Sequence, residues 1–347
     1  MGDALPIIDQ DPDGVLTDRW QRRISYLRVS LTDRCNYRCG YCMPLMGWPK
    51  VPRDHLLTIE EIERFVGIMA RLGLKRVRLT GGEPLLRRGV PDLVRHIAAL
   101  EGIAQLAMTT NGHLLPRYVE QLYDAGLRGL NVSLDSFDTE RFAQMTRGGD
   151  LEAVVKGLEA AGEAGFEGIK LNAVVIRGVN DHEVVDFCKR SWDAGWVPRF
   201  IELMPIGVLE TYTPDQVVPT DEMVQRLQSE LSLASVGRPQ GQVPNGPAAY
   251  WAVTDGPYRG HKVGIISPMS DDGFCAACNR ARLTARGGLR ACLADDSEVS
   301  FLHMLRNRAP DDVIIEAIQA AVTGKRVAHR MRDLQTAPRS GMTGIGG

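Results

Sequence analysis

Residues 26–44 read YLRVSLTDRCNYRCGYCMP, and this stretch decides the fold. Its opening alternates, with Leu27, Val29 and Leu31 on one side and Arg28, Ser30 and Thr32 on the other, the two-residue period of a β-strand. Directly after it stand Cys35, Cys39 and Cys42 in C-x3-C-x2-C spacing. With seven cysteines in 347 residues, that spacing arises by chance only ~0.003 times in such a chain. Three thiolates on one short loop can converge on a soft metal centre and leave a coordination position open. A structural zinc ion wants four ligands and a closed shell. The triplet therefore points to an iron–sulfur cluster with one open iron.

Outward from this strand, a rhythm repeats. The runs 26–32, 76–80, 105–110, 129–134, 169–175 and 199–204 read as strands, and helical patterns fall near 59–72, 90–100, 115–125, 151–164 and 181–194. Six such β/α units predict a parallel sheet with helical crossovers. Their spacing suits an incomplete (β/α)6 TIM-type barrel, and a doubly wound open sheet is the competing arrangement. Each strand carries a polar side. Arg76, Arg78 and Thr80 alternate with Val77 and Leu79; Asn131, Ser133 and Asp135 alternate with Leu130, Val132 and Leu134; Lys170 and Asn172 alternate with Leu171, Ala173 and Val175. In a helix-wrapped sheet the apolar side belongs to the helices, so the polar side would line a charged lumen. An antiparallel sheet with one wet face would show the same alternation. After about residue 210 the rhythm breaks. The Pro/Gly cluster at 237–250 reads as a linker or long loop, followed by a strand at 262–267 and a last helix near 311–323. The tail ending in Gly346 and Gly347 reads as a mobile terminus.

Composition sets the class. Hydrophobic residues make up 44% and charged residues 24%, an ordinary globular mixture, and the length suggests two domains. Forty-one Lys and Arg against 43 Asp and Glu leave a net charge of −2, which excludes a general nucleic-acid coat but not a local basic pocket. No apolar run approaches membrane-spanning length, and the acidic start lacks the layout of a signal peptide, so a cytoplasmic location is expected. An odd cysteine count argues against a disulfide framework, and Cys188, standing alone, reads as a core residue.

A second triplet, Cys275, Cys278 and Cys292, again offers three thiolates. A zinc site would need a fourth ligand, for which His303 is the nearest candidate. Between these cysteines, Arg280 and Arg282 share strand parity and could aim at one anion, or form a solvated face.

The first triplet, with Tyr41 before its last cysteine, and Gly81-Gly82-Glu83-Pro84 after the second strand, resemble the radical S-adenosylmethionine (SAM) superfamily. Within it, the chain resembles the GTP 3′,8-cyclases of molybdenum-cofactor biosynthesis. The residues that carry this are 26–44, VRLTGGEPLLRR (77–88), MTTNG (108–112), NVSLDS (131–136), RFIELMP (199–205), CAACNRARLTARGGLRAC (275–292) and the terminal Gly-Gly. The resemblance implies a [4Fe–4S] cluster on Cys35, Cys39 and Cys42, with Tyr41, Gly82, Ser133 and Met204 around SAM. It implies a second [4Fe–4S] cluster on Cys275, Cys278 and Cys292, carried by a smaller C-terminal domain. GTP would be surrounded by Arg28, Arg78, Thr109, Lys170, Arg280, Ala281 and Arg282, and Gly346 and Gly347 would reach back into the site. The product would be the 3′,8-cyclised dihydroguanosine triphosphate. A homodimer, an external electron donor and transfer of the product to cyclic pyranopterin monophosphate synthase also follow from it. The domain limits are then 1–20 (leader), 21–236 (barrel) and 237–347 (C-terminal domain). Two positions depart from the family's pattern: Arg76, where it usually has Lys, and Gln21, where it usually has Gly. The second is expected to alter a local turn.

Overall fold

The computed structural model describes residues 15–49, 51–207, 212–239, 246–334, 337–338 and 340–346. Six parallel strands form its centre: β1 (Tyr26–Ser30), β2 (Arg76–Thr80), β3 (Gln105–Thr110), β4 (Gly129–Ser133), β5 (Lys170–Val175) and β6 (Val197–Glu202). They lie side by side in chain order. In a doubly wound sheet the order reverses about a switch point. Here it never does, so every right-handed crossover places its helix on the same face. This is the barrel arrangement, left open.

The crossover helices are α1 (Ile59–Arg71), α2 (Val90–Ala98), α3 (Leu115–Asp124), α4 (Thr139–Thr146), α5 (Leu151–Glu163) and α6 (Val184–Asp193). The sequence rhythm anticipates all but α4, a short helix of weak apolar period. The side chains of Asp138 and Asp150 accept from the Arg141 and Ala153 N–H groups and so start α4 and α5. Thr58 and Glu61 form a capping box at α1. In α1, Ile62, Phe65, Val66 and Met69 make the buried stripe, spaced three and four residues apart. That stripe meets Leu27, Val29, Val77 and Leu79 from the sheet in one continuous core, where Cys188 is also fully buried. All five residues of β2 are buried, its arginines included. The sheet's polar side therefore encloses a space instead of facing bulk water, and the wet antiparallel alternative fails.

The remaining chain extends the sheet at both ends. After α7 (Thr220–Gln228) come β7 (Leu233–Gly237), β8 (Ala249–Val253) and β9 (Lys262–Ile266). These form an antiparallel meander whose last strand lies parallel to β6. At the opposite edge β10 (Arg280–Leu283) runs parallel to β1, followed by β11 (Gly288–Arg290) and β12 (Val299–Ser300). Among the described residues the sheet thus has 12 strands, with β12 and β7 outermost. Helices α8 (Leu302–Arg306), α9 (Asp311–Thr323) and α10 (Met342–Ile345) complete the chain. The Pro/Gly stretch at 237–250 is loop only in part. Ala249 and Tyr250 already belong to β8, and 240–245 lie outside the described residues.

The tail is a correction. The sequence reads as a frayed terminus, yet α10 is packed inward, with Thr343 and Ile345 buried. Its composition is mobile, but its neighbours hold it. Arg290 donates to Ser340 Oγ at 2.8 Å, and Gly341 lies so close to the Trp48 indole that a Cβ there would fall 2.3 Å from the ring. Gly347, the other half of the terminal pair, lies outside the described residues.

Candidate active site

The polar face of the sheet opens into one cavity. Cys35, Cys39 and Cys42 line one end, and Cys275, Cys278 and Cys292 line the other. Between them stand Arg28, Arg78, Arg199, Arg280, Arg282 and Lys325. Among the described residues no Asp or Glu lines this space.

The first triplet follows β1 on a loop tied down from two sides. The Arg38 and Gly40 N–H groups donate to the Thr146 and Met145 carbonyls at 3.0 Å each, fastening the loop to the end of α4. On the other side Gly81 and Gly82 end β2 so tightly that a Cβ on Gly82 would fall 2.2 Å from the Arg34 carbonyl oxygen. Only glycine permits that approach. Glu83, fully buried, accepts from the Leu85 and Asn111 N–H groups and from the Thr110 hydroxyl, fixing the turn. Burial pushes its carboxyl up to about 7. Burial also pushes the Cys35 and Cys42 thiols up to about 11 and 12, and Cys39 well above its ordinary value. Burial thus favours the protonated thiols, and a metal must displace those protons to bind. Tyr41 donates to Asp135 at 2.8 Å, which orients its ring along the cavity wall beside Met204 and Ser133.

The second triplet is built by the β10–β11 hairpin and the turn before it. The Cys278 N–H donates to the Cys275 carbonyl at 3.1 Å, and Cys292 follows β11. Burial opposes ionisation of Cys278, but Arg280 and then Lys325 overcome it and lower this thiol to about 6. His303 sits on α8 and is not part of the cavity wall; the histidine that lines it is His329. The fourth-ligand candidate for zinc is thus withdrawn, because α8 packs against α1.

Registry explains the cation cluster. Arg28 lies directly opposite Arg78 on β2 and Arg282 on β10, so three guanidinium groups project from adjacent strands to one side. Arg28 Nε and an Arg282 terminal nitrogen both donate to the Gly346 carbonyl, at 2.7 and 2.6 Å. Gly346 has φ +70°, and a Cβ there would lie 2.7 Å from Thr80. Arg78 donates to Thr109 at 3.2 Å and to the Tyr26 hydroxyl at 2.5 Å. Burial would raise the Tyr26 phenol, yet Arg78, Arg28 and Arg76 bring it down to about 7. Burial, and then neighbouring guanidinium groups, depress Arg28 and bring Arg282 to about 10. Such a cluster is short of anions.

Gly347 aside, which lies outside the described residues, the sequence-predicted site residues meet here with two exceptions. Ala281 points its side chain into the apolar core, leaving only its main chain between Arg280 and Arg282. Lys170, at the start of β5, is not in the wall, though burial and then Arg199, Arg78 and Arg76 push its ammonium down to about 8. Sequence reasoning placed Asn172 on the lumen side without a role and missed Tyr26, Arg199 and Lys325. Strand parity could have found Tyr26 and Arg199: Tyr26 shares a face with Arg28, and Arg199 stands opposite Asn172 and donates to it at 2.7 Å. No sequence signal marks Lys325.

The residues present fit the groups the motifs imply. Three thiols on one loop leave the remaining approach open to the cavity, beside a glycine cradle that a side chain would fill. Among the described residues, no three His, Cys, Asp or Glu side chains gather as a single bound ion requires. A four-iron cluster instead spreads its ligands over separate irons.

Comparison with known proteins agrees with this geometry. Residues 29–190 match the radical SAM superfamily, and residues 197–331 match the family described as Molybdenum Cofactor Synthesis C. A GTP 3′,8-cyclase of Pelotomaculum thermopropionicum is 43% identical over 91% of this chain and 95% of its own. Those of Syntrophomonas wolfei and Pseudomonas putida strain W619 are each 42% identical, over 92% and 95% of this chain and 95% and 98% of theirs. Among solved structures, Streptococcus suis SuiB bound to S-adenosylmethionine shares the fold, with a TM-score of 0.56 at 14% identity over 87% of this chain and 69% of that one. Two cysteine triplets facing one cationic cavity, on a sheet whose two matched segments cover nearly the whole chain, thus place the protein in the GTP 3′,8-cyclase family of the radical SAM superfamily.

Proposed function

We infer that the chain converts GTP to (8S)-3′,8-cyclo-7,8-dihydroguanosine 5′-triphosphate, the first step of molybdenum cofactor biosynthesis. The observation that carries this is the cavity itself: a thiol triplet at each end, six cationic side chains between, and no carboxylate among its described lining. A nucleoside triphosphate brings about four negative charges at neutral pH, and the chain has no G-x4-G-K-[ST] loop to receive them. Converging guanidinium groups replace that loop, each strengthened by low local dielectric.

When bound, the cluster on Cys35, Cys39 and Cys42 and its SAM supply the one-electron chemistry that generates a radical able to take hydrogen from carbon. The chain's own residues do the rest. Tyr41, Gly82, Ser133 and Met204 shape the SAM end, and Glu83 holds the turn that brings Gly82 against the cysteine loop. Arg28, Arg78, Thr109, Arg280, Arg282 and the Ala281 main chain receive GTP, with Lys170 adding charge from behind. Gly346, whose carbonyl accepts from Arg28 and Arg282, brings the tail's main chain against these two cations. Cys275, Cys278 and Cys292 hold a second [4Fe–4S] cluster at the far end. A division of labour follows the limits 1–20, 21–236 and 237–347, although one sheet runs through the last two. Homodimer formation, an external electron donor, delivery of the product to cyclic pyranopterin monophosphate synthase and a cytoplasmic setting complete the reading. No described helix is long and apolar enough to cross a membrane.

Anaerobic reconstitution followed by turnover with GTP, SAM and dithionite tests it. About eight iron and eight sulfide per chain are expected, with 5′-deoxyadenosine and the 3′,8-cyclised product formed together. Arg280→Ala and Arg282→Ala should abolish cyclisation and leave the first cluster in place. 5′-Deoxyadenosine without cyclised product points to another radical substrate, and zinc without sulfide overturns the account.

A further inference from the structure

Lys325 is only 3% exposed, lies in the cavity wall, and makes no ion pair with any carboxylate among the described residues. A buried ammonium in that position is costly unless an anion or several carbonyls face it. Its Nζ donates to the Arg280 carbonyl at 2.8 Å and to the Ala291 carbonyl. Those carbonyls stand two residues after Cys278 and one residue before Cys292. One ammonium therefore ties together the two chain segments that carry these thiols.

The segment bearing Lys325 is itself clamped from far away in sequence. The turn at 18–22 is closed by Asp18, whose carboxylate accepts from the Trp20 and Arg22 N–H groups. From that turn Arg19 donates to the Thr323 carbonyl and Trp20 to the Lys325 carbonyl. Arg22, paired with Asp18 at 2.6 Å, donates to the carbonyls of Arg326, Val327 and Cys275. Each of the three cysteine positions is thus reached by a cation bonded to main chain no more than two residues away.

We propose that Lys325 is a positioning and charge-compensating residue for the second cysteine triplet, presenting a fixed positive charge to the anionic group that those thiols hold. This rests on the reading of a second [4Fe–4S] cluster there. A reduced cluster carries one more negative charge than an oxidised one, so a neighbouring ammonium favours the reduced form and raises the potential. The carbonyl bonds act in the same place but could be supplied by a neutral donor. Charge is what separates the two roles.

The test uses the full chain in a Cys35→Ala/Cys39→Ala/Cys42→Ala background, where only the second cluster contributes iron, sulfide and electron paramagnetic resonance signal. Lys325→Gln and Lys325→Arg are reconstituted beside the parent, and each is titrated against redox mediators. At a fixed ambient potential, Lys325→Gln should lower the reduced-to-oxidised ratio at least tenfold, a 59 mV fall for a one-electron couple, while Lys325→Arg stays within threefold of the parent. Loss of iron from Lys325→Gln alone, with its circular dichroism intact, also supports the proposal. An unchanged ratio in Lys325→Gln overturns it, as does the same drop in both variants. A parent that binds no iron and sulfide at this triplet overturns instead the two-cluster reading beneath it.

Discussion

Replacing Gly82 by alanine should disable SAM cleavage. The ideal Cβ would stand 2.2 Å from the Arg34 carbonyl oxygen, 2.5 Å from its carbon and 3.0 Å from the Cys35 nitrogen. Real Cβ atoms essentially never approach closer than 3.0 Å, so the Arg34–Cys35 peptide must retreat by about 0.8 Å (3.0 minus 2.2). All three obstructing atoms are main chain, so no rotamer change relieves the clash. The peptide that moves is the one that carries the first thiol. It also breaks from the Glu83 N–H, which donates to the Arg34 carbonyl at 2.7 Å, and strains the Gly82-to-Thr32 bond at 2.8 Å. Two such bonds contribute about 1–3 kcal/mol to stability together. A misplacement near 1 Å in an active site costs about 100-fold in rate. The assay is anaerobic formation of 5′-deoxyadenosine from SAM with dithionite and GTP, alongside iron analysis. The expected result is a rate at least about 100-fold lower, with iron not falling below about four per chain because the second triplet is untouched. A variant that cleaves SAM within about twofold of the parent, with an unchanged melting temperature, would refute the reasoning from backbone contact.

Three further outcomes are expected. Gln21 has φ +62°, and Gln21→Gly should remove about 1 kcal/mol of left-handed strain and raise the unfolding midpoint by about 1–3 °C in calorimetry; no shift or a fall contradicts this. Lys170, lowered to about 8 by burial and then by Arg199, Arg78 and Arg76, should take up a proton when triphosphate binds, so KM for GTP should climb above pH 8. Lys170→Arg should flatten that part of the profile, and a parent profile flat to about pH 9.5 argues against the role. For the fold alone the sign is opposite. The unfolded chain holds more protons between about pH 8 and 10.5, so this group adds stability to the ligand-free protein as pH rises through that window. Finally, Gly346→Ala, blocked both by φ +70° and by Thr80 at 2.7 Å, should free Arg28 and Arg282 from the tail carbonyl and cut turnover more than it weakens GTP binding. Equal kcat in the two proteins would show that the tail is decorative.

The central strands were legible because period and punctuation agree. Residues 76–80 and 105–110 coincide with β2 and β3, and 311–323 with α9. The cysteine loops were legible because spacing carries their chemistry. What could not be read is long-range. β7 and β12 are exposed along much of their length and carry little apolar alternation. Nothing in residues 262–266 or 280–283 announces that they join opposite edges of the same sheet, because pairing partners far apart in sequence leave no local trace. The same limit hid Lys325, whose role depends on a turn 305 residues away through the Trp20 bond. The tail misled for the opposite reason: its glycines do favour mobility, and long-range contacts with Trp48, Arg290, Arg28 and Arg282 overrule them.

The placement of β9 and β10 also sets a timetable. The strands that cover the open flanks of β6 and β1 come from the last third of the chain. From the end of β6 at Glu202 to the end of β10 at Leu283, some eighty residues must still be synthesised. At about 5–20 residues per second that is roughly 4–16 s. During this interval the nascent sheet exposes two bare hydrogen-bonding edges and an unshielded trio of thiols. Such edges invite pairing with other chains, and such thiols invite oxidation. Slow translation or elevated oxygen should therefore harm the yield of this protein before it harms the finished enzyme.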